Sequence, residues 1–407
     1  MIILITLLIT LNAWSLPNLY NSEQDKNLKS RQVFLTPKLT HKKLMRANQL
    51  MSDKSQTQNA IKVLEDLLQQ VKDRDYEKAL VEQNLGYAYL QINQTTKALS
   101  HLQKSLDLNI LPAAPTKQIL YTIASVYTSI SNYDKALEVL NQWMSVTEKP
   151  SALANVLMAR ILYEKKNKAL ALEYVNHAIA QTEQIKEEWL QLSVALSYEL
   201  KKYESAANSL EKLVNINPKN KNYWKQLSGV YIELDKLDKA LATLELARQW
   251  GHLDSESEKL NLVSLFLMKS YPYPAAVLLE EWIKDKSVAN TQKNNEILAQ
   301  AWLQSEEMQK AIKPLATAAN LSPEGNLWFQ CGQLYLELEQ WQEAVTAFGR
   351  AAKKGQLKSP GIMLLSMGIA KFNLGDKSGA KQAFESALKT EQAGKAAQQW
   401  LQHISMN

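Results

Sequence analysis

The sequence predicts an all-α solenoid of about ten helix-turn-helix repeats closed by a C-terminal capping helix, and three observations carry that expectation. The first is the stretch from Gly325 to Ala351, GNLWFQCGQLYLELEQWQEAVTAFGRA. Trp328, Cys331, Gly332 and Tyr335 fall at i, i+3, i+4 and i+7, one stripe of a first helix, and Ala344, Phe348 and Ala351 fall at i, i+4 and i+7 of a second. Gly332 and Ala344 are small, which lets the two helix axes approach closely. The link from Glu337 to Gln340 is short and polar. The second observation is recurrence. An alanine opens the second helix at Ala60, Ala98, Ala136, Ala171, Ala206, Ala240, Ala275, Ala311, Ala344 and Ala380, spaced 33 to 38 residues apart. Four residues after each comes an apolar anchor: Leu64, Leu102, Leu140, Val175, Leu210, Leu244, Leu279, Leu315, Phe348 and Phe384. The small position of the first helix holds Asn48, Gly86, Ala124, Ala159, Ser193, Ser228, Val263, Ala299, Gly332 and Gly368, where only Asn48 and Val263 strain the rule. A generic helical bundle predicts apolar stripes but no alanine at a fixed period. The third observation is that glycine and proline are scarce, 12 and 11 in 407 residues, so no flexible linker divides the array and no strand pattern competes. One repeat cannot bury its own apolar face, so residues 41–392 are read as one continuous solenoid.

The chain opens with MIILITLLITLNAWSL, an apolar run too short for a membrane span of about 20 residues. It reads as a secretory signal peptide over residues 1–15, with Ala13 and Ser15 as the small residues before the cut, although no Lys or Arg precedes the run. The expected location is the periplasm. Residues 16–40 lack helical periodicity and read as a basic tether. Seven basic residues (Lys26, Lys29, Arg31, Lys38, Lys42, Lys43, Arg46) face two acidic ones between Glu23 and Arg46, and they carry most of the formal net charge of +6. A solvated arm explains them, and a weak contact to lipid headgroups or an acidic partner segment is the alternative. No aromatic residues interleave the charges as a nucleic-acid binder requires, so nucleic acid is not expected as a partner. Further along, Pro272 and Pro274 are expected to stiffen and widen a turn, and Pro314 falls inside the first turns of a second helix. After Ala387 the pattern changes. Ala396, Ala397, Trp400, Leu401 and Ile404 share one face of a capping helix over residues 393–407, with Gln398, Gln399, Gln402 and His403 opposite.

Chemistry-bearing constellations are missing. The single cysteine, Cys331, occupies a core position, where a buried structural thiol is expected rather than a nucleophile. The five histidines are scattered with no HExxH, so no metal site is expected. No glycine-rich phosphate loop and no G-x-S-x-G elbow occurs, and no cofactor or catalytic residue is assigned. An enzyme built on a helical solenoid, such as a glycan hydrolase, would need an acidic pair facing across a concave wall. Adjacent carboxylates such as Glu187 and Glu188 read instead as solvated helix faces.

The order W-x2-(L)-G-x2-Y followed by A-x3-F-x2-A in residues 328–351 resembles the tetratricopeptide repeat (TPR), whose period is roughly 34 residues. That resemblance implies a right-handed superhelix with first helices on its concave wall, and a non-enzymatic scaffold that binds protein or peptide partners there. Carried onto this sequence, the groove positions are Gln83, Tyr87, Tyr121, Ser125, Arg160, Tyr163, Lys225, Phe329 and Gln333. The carboxylate clamp known in the family is not matched, because Gln83, Tyr87, Tyr121 and Ser125 stand where it needs lysine, asparagine and arginine. Together with the exported start, the segments RQVFLTPKLTHKKLMRANQLM and LKSPGIMLLSMGIAKFNLGDKSGAKQAFESALKTEQAGKAAQQWLQHI look similar to periplasmic TPR proteins encoded beside TonB, ExbB and ExbD. The implied partners are TonB- or ExbD-like periplasmic domains. The alternative is a scaffold subunit of envelope biogenesis, serving polysaccharide export, pilus or outer-membrane protein assembly.

Overall fold

A computed structural model describes residues 16–406; the expected export signal at 1–15 lies outside the described residues. Every regular element among them is helical, and none of the helices is long and apolar enough to cross a membrane. The chain divides into two units, Met1–Ile216 and Asn217–Asn407. The first holds α1 (Ser22–Lys29) and five helix pairs: α2 (Lys38–Met51) with α3 (Thr57–Gln70), α4 (Asp75–Gln91) with α5 (Thr95–Asp107), α6 (Ala113–Ser129) with α7 (Tyr133–Ser145), α8 (Ala152–Glu164) with α9 (Lys168–Ala180), and α10 (Glu187–Glu199) with α11 (Tyr203–Ile216). The second holds five more: α12 (Lys221–Glu233) with α13 (Leu237–Gln249), α14 (Glu256–Met268) with α15 (Pro272–Lys284), α16 (Gln292–Gln304) with α17 (Met308–Leu321), α18 (Asn326–Glu337) with α19 (Trp341–Lys354), and α20 (Pro360–Asn373) with α21 (Lys377–Leu388). It ends on α22 (Gly394–Met406). This is the α-solenoid architecture that the repeat pattern demands.

Within the pairs, all ten periodic alanines are fully buried and all ten anchors four residues later are buried. The small first-helix residue leaves room for the anchor. A Cβ added to Gly86 would lie 2.5 Å from Leu102, and one on Gly368 would lie 2.5 Å from the Phe384 ring, so a larger side chain there would push the helices apart. Nine of the ten pairs share one link of three residues. Its middle residue takes a left-handed conformation at Asn93, Ser131, Lys166, Lys201, Asp235, Ser270, Glu306, Glu339 and Gly375. The next N–H donates back five residues to a carbonyl near the end of the first helix, as from Gln94 to Tyr89 (2.9 Å) and from Gln340 to Tyr335 (2.8 Å). This closure satisfies carbonyls that a helix end leaves unpaired.

Two expectations about the pairs need correction. The first link, residues 52–56, is longer and holds a short 3-10 turn at Lys54–Gln56, so the small position moves one residue. Ala47 is fully buried there and Asn48 is exposed. Pro272 and Pro274 do not widen their turn. Pro272 is the first residue of α15, where a missing N–H costs nothing, and Ser270 closes the same three-residue link as elsewhere.

Residues 16–40 are not a free tether. They hold α1 and lie along the connectors between pairs of the first unit. Phe34 meets Tyr76, at the start of α4, edge-on with centroids 5.2 Å apart. Arg31 donates to Asn109 Oδ1 (2.5 Å) and to the Leu111 carbonyl (3.2 Å), between α5 and α6. The Asn21 N–H donates to the Ser145 carbonyl at the end of α7 (2.7 Å), and the Asn21 side chain caps α1. At the centre Asp25 is fully buried. Its carboxylate accepts from Lys117 of α6 (2.8 Å), from Lys29 (2.5 Å) and from the Tyr20 hydroxyl (2.9 Å). Only Asp25 and Leu28 of this eight-residue helix are buried, too few for an apolar period to show. The attachment is a carboxylate, not a stripe.

Burial pushes the Asp25 carboxyl up, but the hydrogen bonds from Lys117, Lys29 and Tyr20 outweigh it and hold the group down at about 2. Its folded-state value thus lies below the unfolded one. Its contribution is complete above the ordinary carboxylate range and is lost as pH falls through about 2. We expect Asp25→Asn to open residues 16–31 to limited proteolysis at neutral pH while α4–α11 stay protected, and the wild-type chain to open the same way to pepsin only toward pH 2. Unchanged protection in the variant would overturn the anchor assignment. At the other end, Trp400 of α22 stacks on Phe384 (5.5 Å, 10°) and meets Phe372 edge-on (5.5 Å). Deleting residues 391–407 is expected to expose these rings and cause aggregation, measured by sedimentation; a soluble, fully helical truncated chain would contradict it.

Candidate functional site

Three successive first helices of the first unit, α6, α8 and α10, line an open cavity of about 660 Å³. From α6 come Tyr121 and Thr128, one stripe at i and i+7; from α8 come Leu153, Leu157, Arg160 and Glu164, at i, i+4, i+7 and i+11; from α10 come Glu188, Trp189 and Leu192. Tyr133 at the start of α7, and Tyr163 and Lys186, complete the lining with Val156. The walls are mixed, with tyrosine, tryptophan and leucine side chains set among Thr128, Arg160, Glu164, Lys186 and Glu188. Tyr121 tilts against Trp143 with centroids 5.5 Å apart, and burial pushes its hydroxyl pKa up, so it stays a neutral donor and acceptor. Lys186 lies 5.9 Å from the Trp189 ring. Arg160 is exposed and has no hydrogen-bond or ion-pair partner among the described residues. A planar guanidinium with free donors beside aromatic surface suits a carboxylate-bearing segment with a bulky apolar neighbour.

Of the nine groove candidates, the structure gathers Tyr121, Arg160 and Tyr163 at this cavity. The others are placed differently. Gln83 donates to the Tyr87 hydroxyl (3.3 Å), and the Tyr87 ring packs on the core around Ala79 and Leu102. Ser125 donates to the Tyr121 carbonyl on its own helix (2.8 Å). In the second unit, Lys225 pairs with Glu258 of α14, Phe329 packs on Phe348 (6.0 Å), and Gln333 is exposed. Sequence reasoning missed Tyr133, Leu153, Lys186, Trp189 and Leu192. The available signal was the α8 stripe, where an exposed Leu153 stands on the same face as Arg160.

No group of three or more His, Cys, Asp and Glu among the described residues could hold a metal ion. Cys331 is buried in α18, and burial pushes its thiol up to about 12, so almost no thiolate exists at neutral pH. A thiol-specific reagent such as iodoacetamide is therefore expected to leave the native chain unmodified and to react at one site after denaturation, read by mass spectrometry. Rapid native labelling would contradict this packing.

Short helix pairs stacked at a 33 to 38 residue period, with one face of the first helices lining an open groove, define a TPR-type protein of the kind that binds protein or peptide partners. The chain belongs to the ChAPs family (Chs5p-Arf1p-binding proteins), whose description matches residues 43–297. Solved structures similar in part include YrrB, a TPR protein with an unusual peptide-binding site (16% identity, 45% of this chain and 89% of that one, TM-score 0.37). Residues 41 to the end of MamA from Desulfovibrio magneticus RS-1 match at 14% identity, over 46% of this chain and 99% of that one, with a TM-score of 0.39. The C-terminal part of a TPR protein from Cytophaga hutchinsonii matches at 12%, over 60% and 99%, with a TM-score of 0.33. No curated protein matches the chain.

Proposed function

We propose that this chain is a non-enzymatic adaptor that holds a segment of a protein partner in the groove of α6, α8 and α10. The observation that carries the reading is Arg160, a solvent-facing cation without an internal partner, set among Tyr121, Tyr163 and Trp189. Such a site takes a short extended or helical segment with an acidic residue beside a large apolar one. The name of its family, Chs5p-Arf1p-binding proteins, supports protein recognition as the general role. For this chain the setting we infer is the periplasm, reached through the apolar start at residues 1–15, with a TonB- or ExbD-like domain supplying the bound segment.

Photo-crosslinking in living cells with the probe at Tyr121 or Tyr163 tests both levels. Adducts to TonB- or ExbD-like periplasmic domains are expected, and Arg160→Glu in the same strain should reduce them roughly tenfold or more, as the loss of about 1.4 kcal/mol or more at an interface cation predicts. Adducts to polysaccharide-export or assembly machinery would move the adaptor to envelope biogenesis. Absence of adducts from this groove, with adducts from a control probe at Lys104 on the second helix α5, would overturn the groove itself.

A further inference from the structure

The stretch joining α1 to the first pair carries the most exposed apolar side chains among the described residues, beside unpaired positive charge. Val33 is 74% exposed and Leu35 98%, in the extended segment before α2, and Leu39 and Met45 on α2 are 63% and 58% exposed. From Lys26 to Ser52 the sequence has no acidic residue. Some of its cations are engaged inside the first unit: Lys29 by Asp25, Arg31 by Asn109 and Leu111, and Lys43 by Gln70. Lys38, Lys42 and Arg46 have no partner among the described residues, and all three are exposed on α2. They fall at i, i+4 and i+8 of that helix, on the face turned away from its buried Thr40, Leu44 and Ala47. Leu39 and Met45 stand beside them. The helix is thus packed on one side against α3 and cationic with apolar points on the other.

We propose that this face, with the Val33–Phe34–Leu35 tip, docks the protein on a bilayer surface bearing anionic phospholipids. Lysine and arginine heads pair with lipid phosphates while the apolar side chains enter the headgroup boundary, a combination that neither charge nor apolar area achieves alone. A second copy of the chain fits poorly, because a twofold contact would bring Lys38, Lys42 and Arg46 against their own copies. An acidic protein segment would use the cations but leave Leu35 in water. No groove surrounds Val33 or Leu35 to receive a partner's side chain, as their exposure shows. The inference is independent of the groove at Arg160, which lies on other helices.

The test is flotation of the full chain with vesicles of phosphatidylcholine, alone or with phosphatidylglycerol, at two salt concentrations. Binding is expected only to the anionic vesicles and should weaken with salt. The triple variant Lys38→Gln, Lys42→Gln, Arg46→Gln should lose about a hundredfold in partition, from roughly fivefold per cation. Leu35→Asp should lose binding even at low salt. All four positions are exposed, so circular dichroism is expected to match the wild type. In Leu35→Cys, where Cys331 is buried, a solvatochromic label should shift to the blue on anionic vesicles. Equal binding to neutral vesicles, or variants that bind like the wild type, would overturn the proposal, as would a dimer in sedimentation velocity that the triple variant dissolves. Binding to a polyglutamate peptide without binding to anionic vesicles would overturn it in favour of an acidic protein segment.

Discussion

The close approach of the two helices in a pair, made possible by a small residue facing a large anchor, is the constraint on which the rest depends. Gly86 under Leu102, Gly332 under Phe348 and Gly368 under Phe384 leave no space for another methyl group. With the axes that close, a three-residue link suffices, and one left-handed residue plus one back-donated N–H closes it. The link in turn fixes the rotation of the second helix against the first. Once the inner faces are settled in this way, the outer face of each first helix is free to vary. That freedom is where the exposed Arg160 and Leu153 stand.

The pair geometry was legible because burial enforces it at every repeat: a residue larger than alanine at Ala98 or Ala344 would meet the partner helix, so the sequence keeps the pattern. The turns were not. Eight of the nine left-handed residues are Asn, Ser, Lys, Asp or Glu rather than glycine, so no glycine marks them. A non-glycine residue pays about 1 kcal/mol or more for that conformation, and the packed helices on both sides hold it there. The shift from Asn48 to Ala47 was hidden for a related reason. Only the longer first link, with its 3-10 turn, reveals that the register moves, and link length is not written in an apolar period.

Residues 16–36 escaped a periodicity argument because they are held by polar chemistry. A buried carboxylate is unfavourable unless ionic partners and hydrogen bonds replace water, and Asp25 has two ammonium groups and a phenol to do so. Removing any one leaves the others oriented toward an incompletely satisfied charge. The segment crosses the junctions before α4, α6 and α8, so it ties together pairs that would otherwise touch only their nearest neighbours. A solenoid limited to nearest-neighbour contacts opens one junction at a time. Across these junctions, opening also has to strip the strap.

The groove illustrates how much of a binding surface a family pattern carries. Nine positions were transferred, yet a first-helix position can serve either the core or the outside, and the neighbouring repeat decides. Lys225 is spent on Glu258 of the next first helix, and Phe329 is spent on Phe348 of its own pair. Arg160 has neither, so its charge is available to an outside carboxylate at little desolvation cost while it remains exposed. Availability therefore discriminates better than position: where the array has already paired a charge, a partner must break that pair to use it, and where it has not, binding adds a contact without removing one.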